Sequence, residues 1–169
     1  MGAEPVCDPA LPDIMHYVTS ENNSTISLLT NGKELPPLSM LDEIVFSIKA
    51  ITPALHRTYT GFDNADIVRN FKTVAGNEKI TLYTETVFIP DCVDEIEIVK
   101  IAGFIASVDK GIPFRIDAYL PVEKLPWRAP SVSEIESLAG KVKHILPRTT
   151  CFYGDRGNTP LAYAVERVF

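Results

Sequence analysis

Polar side chains stand at the ends of several short apolar stretches of this sequence. They are Glu4, Thr30, Asn31, Ser47, Lys49, Thr84, Glu85, Thr86, Arg115, Asp117 and Tyr119. Each has an ordinary structural explanation when taken singly: Glu85 and Arg115 can form an ion pair, and Lys49 can extend to solvent. Polar groups are costly to bury without partners, so several of them converging on one rim indicate a ligand-binding site.

The elements that must position these side chains follow from the spacing of apolar residues. The pattern predicts strands at 24–32, 42–50, 78–90, 112–121 and 149–154, and helices at 11–22, 63–77, 93–111 and 131–146. Alternation of this kind predicts βαβ units with right-handed crossovers, and hence an α/β fold with a parallel sheet. Ligands bind at the carboxyl ends of the strands in such folds.

Local signals mark where several of these elements begin or end. Asn31-Gly32 is a turn signal after the first predicted strand. Glu95 and Glu97 suit the positive N-terminus of the helix at 93–111. Ser131 and Glu134 have the spacing of a capping box at the start of the last helix.

Composition excludes several classes of protein. The 169 residues suit one domain, so a single domain over 1–169 is predicted. A net charge of -6 argues against a nucleic-acid partner. No apolar run approaches the roughly 20 residues of a membrane span, and the start lacks secretory-signal character. We therefore predict a cytoplasmic protein with no nucleic-acid and no membrane partner.

The three cysteines are widely separated. Cys7, Cys92 and Cys151 are an odd number, at spacings that are neither a disulfide framework nor a metal-ligand array. We predict three reduced thiols and no metal ligand among them.

Five motifs, taken in order, resemble the radical SAM superfamily. They are "GAEP", "LLTNG", "IVFSIK" with "LHRTYTG", "ETVFIPDCVDE" and "RIDAYLP". More narrowly they resemble the pyruvate formate-lyase activating enzyme type, the activating enzymes of glycyl-radical enzymes. The resemblance implies a partial parallel (β/α)6, TIM-like barrel. It also implies S-adenosylmethionine and a [4Fe–4S] cluster as cofactors, and reductive cleavage of S-adenosylmethionine to a 5′-deoxyadenosyl radical.

The resemblance assigns roles to residues in the first three motifs. Gly2, Ala3 and Glu4 match a Gly-Gly-Glu motif that meets the amino group of S-adenosylmethionine. Thr30 and Asn31 match the position near the methionyl carboxylate and the ribose. Ser47 and Lys49 match an Asp-Leu-Lys motif whose Asp helps to hold a cation. Because Ser47 cannot supply that charge, we predict no metal site here.

The last two motifs match the part of the family's site that surrounds adenine. Val87, Phe88 and Ile89 match an apolar wall beside the base. Tyr119 and Leu120 match a segment whose backbone meets the adenine edge. Glu85 departs from the pattern, since a basic residue often occupies its place.

The cluster motif Cys-x3-Cys-x2-Cys is not present in this sequence. By the resemblance, the chain is expected to correspond to the C-terminal two-thirds of the barrel, truncated at its N-terminal end. This chain alone is then predicted to be inactive and to keep part of the S-adenosylmethionine site. In the full-length enzyme the resemblance allows a protein substrate.

The predicted loss of the first strand would leave an open sheet edge at residues 24–30. We expect a homodimer, or the missing N-terminal segment, to cover that edge. The sequence is also compatible with two alternatives. One is a non-enzymatic α/β remnant that works as a binding or interaction module through the edge. The other is a compact α/β enzyme with Glu85, Lys49 and His56 as acid–base groups.

Overall fold

The computed structural model describes residues 4–22, 24–121 and 125–153. The strands are β1 (Ser27–Thr30), β2 (Glu43–Ser47), β3 (Thr81–Phe88), β4 (Phe114–Ala118) and β5 (Thr149–Phe152). The helices are α1 (Leu11–Asn22), α2 (Pro53–Thr60), α3 (Ala65–Ala75), α4 (Glu95–Val108) and α5 (Val132–Lys143), with 3-10 turns at Pro5–Cys7 and Leu38–Met40. The predicted alternation of strands and helices is confirmed.

Helix α2 is the one described helix that the apolar spacing did not predict. It has eight residues and one fully buried side chain, so it shows little periodicity. Its ends carry better signals: Pro53 occupies the first turn, and Gly61 closes the helix in the left-handed conformation with φ of 83°.

The five strands form one parallel sheet in the order β1-β2-β3-β4-β5. Strand order that follows chain order is typical of a (β/α) barrel, whereas doubly wound sheets reverse their order. Within the described residues, β1 pairs with β2 alone and β5 with β4 alone. The predicted fold class, a partial parallel barrel with an open sheet, is therefore confirmed.

The two faces of the sheet differ in burial. In β3 every second side chain is buried, from Leu82 to Phe88, and the residues between them are half-buried. Helix side chains cover the buried face and form the core with it: Ile67, Phe71, Val74, Ile98, Ile101, Ile105, Ile135, Leu138 and Val142. The other face is open, and at its edge the Leu29 side chain is 53% exposed.

Helix caps form where the sequence places them. Ser131 and Glu134 make the predicted capping box at the start of α5. Asp94 caps α4 by accepting a hydrogen bond from the Glu97 backbone N–H at 3.1 Å. Among the described helices, none is long and apolar enough to cross a membrane.

Candidate functional site

The carboxyl ends of β1 and β2 lie side by side, because Thr30 pairs with Phe46 in the parallel ladder. At the end of β1 the Glu4 carboxylate accepts hydrogen bonds from the Thr30 hydroxyl at 2.7 Å and from the Asn31 backbone N–H at 2.8 Å. Sequence reasoning placed these three residues in one site, and the fold brings them into contact. Gly2 and Ala3, predicted with them, lie outside the described residues.

The turn that follows β1 is held from two sides. The Thr30 hydroxyl accepts a hydrogen bond from the Gly32 backbone N–H at 3.0 Å. Asn70 of α3 donates to the carbonyls of Gly32 and Lys33, at 2.9 and 3.0 Å. This turn, which is predicted to lie near the cofactor, is therefore tied to a helix of the core.

At the end of β2 a lysine stands beside a serine. Lys49 Nζ donates a hydrogen bond to Ser47 Oγ at 2.8 Å, and Ser47 is buried. Lys49 is half-buried, and its positive charge lies close enough to the Glu85 carboxylate to oppose the rise in the pKa of Glu85. The ends of the neighbouring strands β1 and β2 thus carry the Glu4 carboxylate and the Lys49 ammonium.

An arginine on the open face of the sheet lies between two carboxylates. Arg115 Nη2 lies 2.6 Å from Glu85 Oε2, and Arg115 Nε lies 2.6 Å from Asp117 Oδ1. The second Asp117 oxygen accepts from Arg115 Nη2 at 2.8 Å. Burial, and next the neighbouring Asp117, raise the pKa of Glu85 above its ordinary value, and Arg115 opposes the shift. The ion pair considered from sequence is confirmed.

Replacing Arg115 by methionine is expected to destabilise the protein by about 2 kcal/mol at pH 8, because two largely buried carboxylates lose their shared cation. Without Arg115 the pKa of Glu85 should rise further above the value in the unfolded chain. The folded variant then binds more protons in that window, so its deficit should shrink as pH falls through the raised pKa towards the ordinary value. Urea unfolding of both proteins at pH 8 and pH 5 measures the change.

The matched control is Arg69→Met. Arg69 also pairs with a carboxylate, Asp66, at 2.6 Å, but both side chains are largely exposed. We expect a loss within about 0.5 kcal/mol and no dependence on pH. Equal losses for the Arg115 and Arg69 variants at both pH values would contradict the role assigned to the buried pair.

The residues predicted to surround adenine occupy different environments. Val87 is half-buried on the open face, whereas Phe88 and Ile89 belong to the buried core. The Tyr119 backbone N–H donates to the Phe88 carbonyl at 3.1 Å, and the Leu120 side chain is 58% exposed. Of these side chains, Val87 and Leu120 are therefore the ones with surface open to a ligand.

Three aromatic side chains pack together next to the carboxyl end of β4. The Trp127 ring packs edge-on against Tyr59 and Tyr119, with ring centroids 5.7 and 5.9 Å apart. Burial, first of all, raises the pKa of the Tyr59 hydroxyl. Arg128, next in the chain, binds Glu134 of α5 at 2.7 Å. Trp127 thus anchors its loop to α2 and to the end of β4.

The described residues do not fit a [4Fe–4S] cluster. Cys7 is exposed in the first 3-10 turn, Cys92 follows β3, and Cys151 belongs to β5. In the part of the chain that the structure describes, no three Cys, His, Asp or Glu side chains come together as a metal site. Burial raises the pKa of the Cys92 thiol, whereas a cluster ligand must be a thiolate.

The acid–base alternative finds no support in the described contacts. His56 is buried in α2, and its Nδ1 lies 2.8 Å from the Phe62 carbonyl oxygen. No hydrogen bond within the described residues joins His56 to Glu85 or Lys49. In the part of the chain that the structure describes, His56 is therefore not joined to Glu85 and Lys49 as one acid–base group.

Sequence reasoning missed two buried polar residues that hold the site together. Asn64 and Glu97 lie outside the strands, and both bind the backbone that follows β2. Neither was singled out as a site residue, because a helix N-terminus explains an acidic residue at position 97 equally well. Their roles depend on contacts across 13 to 46 residues of sequence, which local patterns do not show.

Known structures place this architecture in a class. No family model and no curated protein matches the sequence. A radical SAM methyltransferase from Sphaerobacter thermophilus is similar over 91% of this chain and 49% of its own, with 16% identity and a TM-score of 0.67. The chain therefore has the fold of radical SAM proteins, and the resemblance is confirmed at the level of the fold.

Two further solved structures are also similar to this chain. A domain of pyruvate-formate lyase-activating enzyme from Bacteroides vulgatus is similar over 89% of this chain and 95% of that domain, with 21% identity and a TM-score of 0.66. SuiB from Streptococcus suis, bound to S-adenosylmethionine, is similar over 89% of this chain and 36% of its own, with 13% identity and a TM-score of 0.70. The chain thus spans about the length of the domain and about a third of SuiB.

Proposed function

We propose that this chain carries part of an S-adenosylmethionine site in a radical SAM protein of the glycyl-radical activating-enzyme type. One observation carries the proposal. The carboxyl ends of β1 and β2 bring the Glu4 carboxylate and the Lys49 ammonium to one rim. S-adenosylmethionine ends in an amino group and a carboxylate, and these need one anionic and one cationic partner.

The groups at the rim retain capacity for a ligand. Each oxygen of an ionised carboxylate accepts two hydrogen bonds, and among the described residues the Glu4 oxygens have the Thr30 hydroxyl and the Asn31 N–H as donors. Lys49 has three N–H donors, one of which binds Ser47. Val87 and Leu120 add apolar surface further along the rim for the adenine ring.

The described residues are not assigned the cleavage of S-adenosylmethionine. Reductive cleavage of S-adenosylmethionine needs an electron from an iron–sulfur cluster, and the described residues do not fit one. We therefore propose that this chain alone binds the cofactor weakly and does not cleave it. Its own residues bind and orient: Glu4 takes the amino group, Lys49 takes the carboxylate, and the apolar rim excludes water from the adenine.

Calorimetry and NMR titration with S-adenosylmethionine test the proposal. We expect a dissociation constant weaker than about 100 µM, because a partial site loses contacts and preorganisation. Glu4→Gln should weaken binding further by about tenfold, since the substitution removes the charge that faces the ammonium. Tyr17→Phe on the exposed side of α1 is the control and should bind as the parent does.

Two outcomes would contradict this function. Equal affinity of the parent and Glu4→Gln would remove Glu4 from the site. Formation of 5′-deoxyadenosine by the chain, after incubation with iron, sulfide and dithionite, would show that it holds a working cluster.

A second candidate function rests on the edge of the sheet. Strand β1 pairs with β2 alone within the described residues, and Leu29 is 53% exposed on the open face. Such an edge can pair with another strand, so the edge at 24–30 is proposed as a binding surface for a second copy or for a further segment of a longer chain. Sedimentation is expected to show a dimer at about 100 µM; a clean monomer would count against the homodimer.

A further inference from the structure

The backbone segment that follows β2, residues 48–52, carries Lys49 at the rim of the sheet. Its first residue is held by β3. The Thr86 hydroxyl donates a hydrogen bond to the Ile48 carbonyl at 2.8 Å, and the Ile48 N–H donates to the Glu85 carbonyl at 2.9 Å. Thr86 is fully buried, so this contact is shielded from water.

The middle of the segment is held by the residue that precedes α3. Asn64 Nδ2 donates to the Ile51 carbonyl at 2.8 Å and to the Ala50 carbonyl at 3.3 Å. Asn64 is 4% exposed. Its amide therefore satisfies the two carbonyls that come directly after Lys49.

The end of the segment is held by α4. Glu97 Oε1 accepts hydrogen bonds from the N–H groups of Ile51 at 2.6 Å and Thr52 at 2.7 Å. Glu97 Oε2 accepts from the Thr52 hydroxyl at 2.5 Å. The Glu97 side chain is 3% exposed. The two oxygens of Glu97 thus accept all three bonds that hold the end of the segment.

Three buried polar side chains from three parts of the chain thus bind one five-residue segment. Apolar residues of the same volume would fill the space without any need for matched partners. We propose that Thr86, Asn64 and Glu97 are positioning residues that present Lys49 to the carboxylate of a bound ligand. The inference rests on the proposed function for the identity of that ligand.

Preorganisation is the physical reason for such an arrangement. A lysine side chain is flexible, so its contact with an anion gains affinity when the backbone beneath it is already fixed. The positioning residues touch no ligand themselves. Their loss should therefore weaken the Lys49 contact and leave the contacts that other residues make to the ligand unchanged.

The test compares S-adenosylmethionine with decarboxylated S-adenosylmethionine, which lacks only the carboxylate. Thr86→Val keeps the shape of the side chain and removes its hydroxyl. We expect about threefold to tenfold weaker binding of S-adenosylmethionine, unchanged binding of the decarboxylated compound, and the same selective pattern in Lys49→Met and Asn64→Leu. Thr84→Val is the matched control, because Thr84 is also buried in β3 but donates to the Pro113 carbonyl directly before β4, and not to the segment after β2.

A second measurement needs no ligand. Acylation of the Lys49 amine, followed by mass spectrometry, reports how firmly the side chain is held on Ser47. We expect about threefold faster acylation in Thr86→Val and Asn64→Leu, with the exposed Lys72 of α3 unchanged as an internal reference.

The outcomes separate the two claims. If the parent protein binds neither compound, the proposed function fails, and the acylation rates alone decide the positioning role. Equal weakening of both compounds in Thr86→Val, or an acylation rate of Lys49 equal to that of the parent, would overturn the positioning role while S-adenosylmethionine binding by the parent stands.

Discussion

Glu97→Ala is expected to lower the free energy of unfolding by about 3–5 kcal/mol, because it leaves buried polar groups without their partner. The Glu97 side chain is 3% exposed, and its two oxygens accept three hydrogen bonds no longer than 2.7 Å. Its removal leaves the buried N–H groups of Ile51 and Thr52 without their acceptor. Lys100 Nζ, 3.7 Å away, also loses its carboxylate. Urea unfolding followed by circular dichroism measures the loss.

Glu95→Ala is the matched control in the same first turn of α4. Glu95 pairs with Lys141 at 2.8 Å, and both side chains are about half exposed. Both glutamates are close enough to the N-terminus of the helix to favour its dipole. If that were the role of Glu97, the two variants would lose similar amounts, within about 1 kcal/mol of the parent. Similar losses would therefore contradict the function assigned to Glu97 as a holder of the segment after β2.

Gly32→Ala is expected to cost about 2–4 kcal/mol. Gly32 has a φ of 74°, and a Cβ added there would lie 1.8 Å from Cζ of Phe46. Phe46 is fully buried and packs edge-on against Phe71, with ring centroids 5.3 Å apart, so the ring has no free space to move into. The alanine methyl must displace either the ring or the turn after β1. Thermal and urea unfolding measure the cost.

Gly61→Ala separates the two causes of that cost. Gly61 has a similar φ of 83°, and a Cβ added there meets nothing within 4 Å. We expect a loss of about 1 kcal/mol, the cost of the left-handed backbone alone. If both variants lost the same amount, packing of Phe46 against Gly32 would not be the reason for glycine at position 32.

Gly32→Ala and Glu97→Ala change residues that support the ends of two neighbouring strands, β1 and β2. Gly32 belongs to the turn after β1, next to the Glu4 carboxylate, and Glu97 holds the segment after β2 that carries Lys49. The proposed cofactor site is therefore stabilised by core contacts beneath it. A variant that loses stability here should also lose affinity for S-adenosylmethionine.

Much of the fold was readable from local patterns. Apolar residues at helical spacing, such as Ile98, Ile101 and Ile105, predicted the face of α4 that the sheet buries. The period of side chains along a helix or strand is set by the backbone, so a sequence alone can show it. Helix α2 was missed because eight residues with one buried side chain show hardly any period.

The candidate site was readable in part. The polar residues at strand ends and the five ordered motifs predicted that Glu4, Thr30 and Asn31 belong to one site. In the structure Glu4 accepts hydrogen bonds from the other two residues. The pairing of Glu85 with Arg115 was also considered from sequence and is confirmed. Ile89, assigned to the wall beside adenine, is fully buried, which strand alternation alone did not show.

Local patterns in the sequence predicted the five strands, four of the five described α-helices, the parallel α/β class and the set of polar residues at strand ends. These follow from side-chain period and from turn and capping residues, all of which act over a few positions. Only the tertiary structure decided that Glu97 binds Ile51 and Thr52, and that Phe46 requires a glycine at position 32. Such contacts join residues far apart in sequence, so they exist only once the strands and helices have packed.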